Sequence, residues 1–150
     1  MTAQGEDILA WLDSAIRERE EVARAAHATD PSPWTAEVDS KATFDHARDA
    51  GSGLVVAANG NPLWDCEGAS SLCMTAAASR HAALNDPESV LRRCAADRRL
   101  IAEHGPFSAT DSSCKGCGLD NHEELLTGHY GDCPVLLAIA EGYGWTGGEQ

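Results

Sequence analysis

A chain of 150 residues with 43% hydrophobic content is long enough to bury a core and short enough to form a single domain. Its formal net charge of −13 repels phosphate backbones and anionic lipid head groups, which argues against direct binding to nucleic acid or a membrane surface. The same charge favours solubility or a basic protein partner. No apolar run approaches the roughly 20 residues of a membrane helix, and the acidic first residues are unlike a secretory signal. We therefore expect a cytoplasmic protein whose cysteines stay reduced.

The first predicted element is an amphipathic helix over residues 6–28. Its apolar residues recur at spacings of three and four, as on one face of a helix. The sequence Asp30-Pro31-Ser32-Pro33 ends it, because proline cannot continue a helix. Beyond it, Trp34, Ala36 and Val38 alternate with polar residues and indicate a short strand.

A β-hairpin is predicted over residues 54–66. The apolar run 54–58 has the composition of a strand, and Asn59-Gly60 after it is a strong short-range hairpin signal. The return strand covers 62–66, and Pro62 at its start places it at a sheet edge.

Two helices follow, over residues 70–84 and 87–104. The first is rich in alanine. The second begins with Asp86 as cap and Pro87 in the first helical position, and Gly105-Pro106 ends it. A last short helix is predicted over 134–141, and a loose tail over 144–150.

A zinc site is predicted in the loop spanning residues 104–133. Cys114 and Cys117 are separated by two residues, so they can grip one ion from a single tight turn. Gly118 allows the left-handed backbone angle that such a turn often needs. Cys133 lies where a second pair of ligands closes a tetrahedral site, and at the start of a helix, whose N–H groups favour a thiolate.

Three histidines are candidates for the fourth ligand. His129 precedes Cys133 by four residues, a familiar spacing for a ligand pair. His104 ends the predicted helix 87–104 and can tie it to the loop, although a helix C-terminus favours a histidine in any case. His122, in mid-loop, has the weakest support. Spacing alone does not separate His104 from His129.

The remaining cysteines give weaker signals. Cys66 and Cys73 flank a turn and, with His81, are candidates for a second metal site, but no fourth ligand is evident. Cys94 lies on the apolar face of a helix and is most simply a core residue. The sequence holds neither a nucleotide-binding glycine loop nor a nucleophile elbow, and a closed four-ligand site does not itself imply catalysis.

The chain resembles an uncharacterised family of small proteins from high-GC Gram-positive bacteria and their phages. The resemblance carries no activity, but it implies a histidine at the end of the long helix, which favours His104 over His129. It lies in three stretches, the N-terminal helix, the second long helix and the cysteine loop: Ile8-Leu9-Ala10-Trp11-Leu12 with Glu21-Val22-Ala23-Arg24-Ala25-Ala26; Asn85-Asp86-Pro87, Val90-Leu91-Arg92, Asp97-Arg98-Arg99-Leu100-Ile101 and His104; and Cys114, Cys117-Gly118-Leu119-Asp120 and Asp132-Cys133-Pro134-Val135-Leu136-Leu137-Ala138.

The sequence thus predicts a single α+β domain over residues 1–150, mostly helical, with a small β-hairpin and a zinc-stapled C-terminal loop. The predicted function is that of a non-catalytic accessory protein, stabilised by structural Zn²⁺ and acting through protein contacts. A phage-borne origin fits the resemblance. The alternatives are a nucleic-acid-associated regulator, an acidic decoy of a DNA-binding protein, and an enzyme of unknown class.

Overall fold

A computed structural model describes residues 3–39, 52–63, 74–118 and 126–146. They form four helices, α1 to α4, three strands, β1 to β3, and one short 3-10 turn. In chain order these are α1 Ala3–Thr29, β1 Thr35–Asp39, β2 Ser52–Val56, β3 Met74–Thr75, α2 Ala76–Leu84, α3 Pro87–His104, the 3-10 turn Tyr130–Asp132 and α4 Pro134–Gly142. The chain divides into two compact units: the first comprises residues 1–19 and 93–150, and the second residues 20–92.

The hydrophobic core of the first unit combines α1 with the C-terminal part of the chain. Ile8 and Leu12 of α1 are 2% and 0% exposed, as their four-residue spacing on one helix face predicts. They share a cluster with Leu136 and Ala140 of α4 and with Tyr130. The cysteines Cys114 and Cys133 are buried in the same cluster. Two of the candidate metal ligands are therefore part of this core.

The C-terminal end of the described chain is fastened to this unit. Trp145 packs edge-on against Trp11, with ring centroids 5.0 Å apart. The hydroxyl of Tyr143 donates to Asp97 at 2.8 Å, and the Arg19 guanidinium lies 4.1 Å from the Tyr143 ring centroid. The loose tail predicted from residue 144 thus differs from the structure at Trp145, because the tryptophan finds an aromatic partner. Residues 147–150 lie outside the described part.

The second unit is built on a three-stranded antiparallel sheet in the order β1-β2-β3. Thr35 of β1 faces Val56 of β2, and Asp39 faces Ser52. On the other side of β2, Gly53 pairs with Met74. The alternation near residues 34–38 therefore marks β1. This strand pairs with β2 although a long stretch of sequence separates the two.

The turn at Asn59-Gly60 forms, but its return differs from the predicted strand 62–66. The N–H of Ala57 donates to Asn61 at 3.0 Å, and that of Leu63 to Val55 at 2.8 Å. Pro62 makes a single bridge pair with Val56. Since proline offers no N–H, it cannot extend a ladder of hydrogen bonds. Residues 64–66 lie outside the described part of the chain.

The helix predicted over 70–84 begins at Ala76 in the structure. Thr75 is its N-cap, and the Thr75 side chain accepts from the N–H of Ala78. A threonine with extended backbone is a typical end point for a strand and start point for a helix, which is why the chain changes element here. Residues 70–73 are not among those described.

Helix α3 runs from Pro87 to His104, the interval that the cap and stop signals predict. Asp86 caps it by accepting from the N–H of Ser89 at 2.7 Å. Burial acts to raise the pKa of Asp86, but the hydrogen bonds from Ser89 outweigh it and lower that pKa. The far end of α3 delivers His104 to the loop that follows.

The predicted fold class, a mostly helical α+β protein with a small antiparallel β element and a histidine–cysteine cluster near the C-terminus, is confirmed. Helix α4 has the predicted start and ends at Gly142. Within the described part of the chain, none of the helices combines the length and apolarity needed to cross a bilayer.

Candidate metal centre

Four side chains meet at the end of α3: His104, Cys114, Cys117 and Cys133, here called the metal cluster. Their ligand atoms all lie within 4.8 Å of one another. The Nδ1 atom of His104 is 3.5 Å from Cys114 Sγ, 3.8 Å from Cys117 Sγ and 3.3 Å from Cys133 Sγ. The Sγ atoms of Cys117 and Cys133 are 3.5 Å apart. One nitrogen and three sulfur donors thus surround a common centre.

Helix α3 positions His104 because the helix stops immediately after it. Gly105 and Pro106 carry the chain away, and the N–H of Lys115 donates back to the carbonyl of Gly105 at 3.2 Å. Pro106 pairs with Cys114 across the loop. The last turn of α3 thus places His104 next to the cysteine loop.

The tight turn from Cys114 to Cys117 packs directly against the C-terminal end of α3. A Cβ atom at Gly116 would lie 2.7 Å from the carbonyl oxygen of Glu103 and 2.8 Å from His104 Nδ1. Both separations are shorter than real side chains make, so only glycine fits. Gly118 has φ +72°, the left-handed angle that the sequence predicts at the end of this turn.

Cys133 is completely buried at the N-cap of α4. Burial raises the pKa of its thiol to about 11, while the backbone N–H groups of Leu136 and Val135 act in the opposite direction. A neutral thiol is therefore favoured at this position unless a cation compensates the thiolate.

Cys117 is the least buried of the three cysteines and has the opposite electrostatic character. The Thr127 hydroxyl, which donates to its sulfur, is the main reason that the pKa of Cys117 falls to about 7. Partial burial opposes this shift, and hydrogen bonds with His104 support it. Thr127 is itself buried at 8% exposure, and its carbonyl accepts from the N–H of Cys114 at 3.2 Å. No spacing rule points to Thr127, so sequence reasoning missed it.

His129, the alternative fourth ligand, lies outside the metal cluster. Its Nδ1 atom accepts from the N–H of Gly131 at 3.0 Å, and its ring stacks on Tyr130 at 4.8 Å between centroids. It caps the 3-10 turn that precedes Cys133. The His129 ring therefore takes part in a hydrogen bond within this turn. Its four-residue spacing from Cys133 is that of a ligand pair, but the residue has this structural role instead.

The other candidates occupy different surroundings. Cys94 is 1% exposed, as expected of a core cysteine, and lies 3.6 Å from the Tyr143 hydroxyl. His81, in the last turn of α2, is exposed. Cys66, Cys73 and His122 lie outside the described residues, so the second site proposed for the first two is not placed.

Comparison with known proteins identifies the family but not an activity. Residues 5–144 match a family of unknown function, DUF6221. The chain belongs to this family. The DUF6221 match spans all four residues of the metal cluster, α1 from residue 5 onward, and all of α3 and α4. No curated protein and no solved structure matches the chain. The chemistry of the cluster itself must therefore suggest what this DUF6221 protein does.

Proposed function

We propose that the metal cluster holds one structural Zn²⁺ ion and that the protein is a non-catalytic accessory protein. The observation that carries this proposal is the mutual spacing of the four donors. Zn–S bonds of about 2.3 Å and Zn–N bonds of about 2.0–2.1 Å in a tetrahedron place sulfurs about 3.8 Å apart, and sulfur and nitrogen about 3.6 Å apart. Four of the six separations run from 3.3 to 3.8 Å, and all six are within 4.8 Å. The cluster thus needs little rearrangement to accept the ion.

The chemistry of the four donors also favours zinc. Thiolates are soft ligands, which disfavour Mg²⁺ and Ca²⁺ and suit zinc, and a tetrahedral arrangement of sulfur and nitrogen is typical of structural zinc sites. Four protein donors leave no position for water or substrate. This supports a stabilising role for the ion rather than a catalytic one.

The direct test is the metal content of protein purified without added metal. We expect about one zinc per chain, as in other closed four-ligand sites. His104→Ala should release zinc to a chelator far faster than the wild type, whereas His129→Ala should retain it, because His129 bonds to Gly131 instead. Protein without metal, or loosening by His129→Ala alone, would overturn the assignment.

Surface chemistry supports action through another protein. Within the described part of the first unit, four large apolar side chains are exposed: Leu100 at 45%, Phe107 at 65%, Leu126 at 61% and Leu137 at 41%. Apolar surface of this kind is a common feature of contact sites, and the net charge of −13 favours a basic partner.

A pull-down from the native host can test this. Replacing Phe107 and Leu126 together by serine should abolish capture of the partner without changing zinc content. The matched control is Ser108→Ala, a change at a neighbouring exposed polar residue. Equal capture by both variants would refute a role for these apolar side chains. A high-GC bacterial or phage origin stays a prediction, which the host genome can decide.

We also propose that the protein does not bind nucleic acid directly. The best basic group is Arg92, Arg93, Arg98 and Arg99 of α3. Within it, Arg92 pairs with Glu88 at 3.3 Å, and Arg98 pairs with Asp13 at 2.9 Å. Exposed pairs add little stability, but the acids beside these arginines weaken their attraction for phosphate.

Titrating labelled duplex and single-stranded DNA and RNA at low salt checks the nucleic-acid proposal. Micromolar or tighter binding that is lost on replacing the four arginines would overturn it. An acidic decoy is the second candidate, favoured by the charge of −13. Competition with DNA for a basic DNA-binding protein would support the decoy over the accessory role.

A further inference from the structure

A cleft of about 650 Å³ opens beside the metal cluster. Two of the four cluster residues, His104 and Cys117, line it, together with Leu126, Thr127 and Val135. Cys114 and Cys133 are 1% and 0% exposed, whereas Cys117 is only half-buried. A small reagent that enters this cleft therefore meets one thiol of the cluster first.

The sulfur of Cys117 has a second thiol within short reach. Its Sγ atom is 3.5 Å from that of Cys133. A disulfide requires about 2.05 Å, so the two atoms must approach by about 1.5 Å. Cys114 has different surroundings: its Sγ atom lies 3.1 Å from the backbone carbonyl oxygen of His104. Cys133 is thus the better placed partner for an oxidised Cys117.

We propose that Cys117 is an oxidation site for hydrogen peroxide, and that its oxidation forms a Cys117–Cys133 disulfide and releases the metal. The inference rests on the proposed zinc centre. In this proposal the cleft admits a small oxidant, hydrogen peroxide. The metal cluster reacts with that oxidant in addition to stabilising the fold.

The chemistry balances in two steps. The Cys117 thiolate attacks one peroxide oxygen, the O–O bond breaks, and hydroxide leaves, so that Cys117 carries a sulfenic acid. The Cys133 thiolate then attacks the Cys117 sulfur, the S–O bond breaks, and a second hydroxide leaves. Two thiolates have given two electrons to peroxide, and two protons from solvent convert both hydroxides to water. The cluster keeps only His104 and Cys114, too few donors to hold zinc tightly.

The experiment treats the zinc-loaded full chain with hydrogen peroxide and follows zinc release with a coloured chelator. Peptide mass spectrometry, after alkylation of the remaining thiols, maps the bridge. We expect zinc release to parallel the loss of two thiols, a bridge between Cys117 and Cys133, and recovery on adding a thiol reductant with zinc. A bridge between Cys114 and Cys117, or zinc release without any disulfide, would overturn the proposal.

A pair of variants tests the route of entry. Leu126→Trp enlarges a side chain that lines the cleft and is 61% exposed, so zinc release should slow about fivefold, because thiol reactivity depends on access. Leu137→Trp, at an exposed position outside the cleft lining, should keep the wild-type rate. Equal rates for both variants would refute entry through the cleft.

The two proposals fail in different ways. If the purified chain contains no zinc, the structural zinc centre is wrong. If zinc is bound but survives peroxide, the centre stands and the oxidation site is wrong.

Discussion

Substituting Gly116 by alanine should weaken metal binding without removing any ligand. The new Cβ would lie 2.7 Å from the Glu103 carbonyl oxygen, and 2.8 and 2.9 Å from the Nδ1 and Cε1 atoms of His104. Ordinary contact begins at 3.4 Å, so relief requires a displacement of at least 0.5–0.7 Å. The carbonyl belongs to a helix and resists movement. The imidazole or the cysteine turn must therefore shift.

The size of the effect follows from the tolerance of a metal site. Ligand distances must hold to within about 0.2 Å, which is less than the displacement that alanine forces. Disturbing the orientation of a ligand typically lowers metal affinity about 10–100-fold. This corresponds to about 1.4–2.8 kcal/mol of binding free energy.

The assay is competition for zinc against a chelator of known affinity, with circular dichroism to verify folding. Gly128→Ala is the matched control, because it lies in the same loop and a Cβ there has nothing within 4 Å. Wild-type zinc affinity in Gly116→Ala, or an equal loss in Gly128→Ala, would refute the claim that close packing of this turn orients His104.

Four further substitutions probe the fold by denaturant or thermal unfolding. Asp86→Ala removes the cap of α3 and should lower the free energy of unfolding by about 1 kcal/mol at neutral pH. Because folding lowers the pKa of Asp86, the stability that its carboxylate contributes is present above the unfolded pKa of about 3.9 and is lost as the pH falls through the lower folded pKa. The difference in stability between wild type and variant should therefore shrink in acid. Leu136→Ala, at 0% exposure, should cost about 2–5 kcal/mol, whereas Leu137→Ala, at 41% exposure, should cost under about 1 kcal/mol. Tyr143→Phe removes the hydrogen bond to Asp97 and should cost about 1 kcal/mol; an unchanged stability would show that water replaces it.

Residues close together in the sequence were sufficient to predict helix α3, which carries His104. Asp86 and Pro87 mark the start of α3, and Gly105-Pro106 marks its end, because each residue acts on the backbone within one turn. The two-residue spacing of Cys114 and Cys117 likewise encodes a turn by itself. These signals require no knowledge of distant parts of the chain, so a single sequence reveals them.

Contacts between distant residues could not be read in the same way. Strand β2 pairs with β1 across residues 40–51 and with β3 across residues 57–73, whereas the hairpin signal at Asn59-Gly60 points only to the nearest return. Spacing also gave no choice between His104 and His129. The choice between the two histidines depends on where the end of α3 lies relative to the loop, which is a matter of tertiary structure. The family resemblance favoured His104, whereas the spacing of residues favoured neither.

The composition suggests what a bound metal would contribute to this core. Only 5% of all residues are aromatic, and aliphatic side chains such as Ile8, Leu12 and Leu136 form much of the buried cluster of the first unit. Cys114 and Cys133 lie in the same cluster and are almost fully buried. Buried thiolates are costly without a compensating cation, so an ion bound at the cluster would stabilise the charged form of these cysteines inside the core.

Because an unfolded chain offers no preformed site, metal binding adds directly to the stability of the folded state. A free zinc concentration a thousandfold above the dissociation constant contributes about 4 kcal/mol, comparable to the burial of one or two large aliphatic side chains. A sequence poor in aromatics can thus hold its C-terminal loop and α4 against α1 with an ion at their junction. In the same arrangement, an oxidant that reaches Cys117 would remove the ion and so destabilise this core. Cys117 is the one thiol of the cluster that is not fully buried.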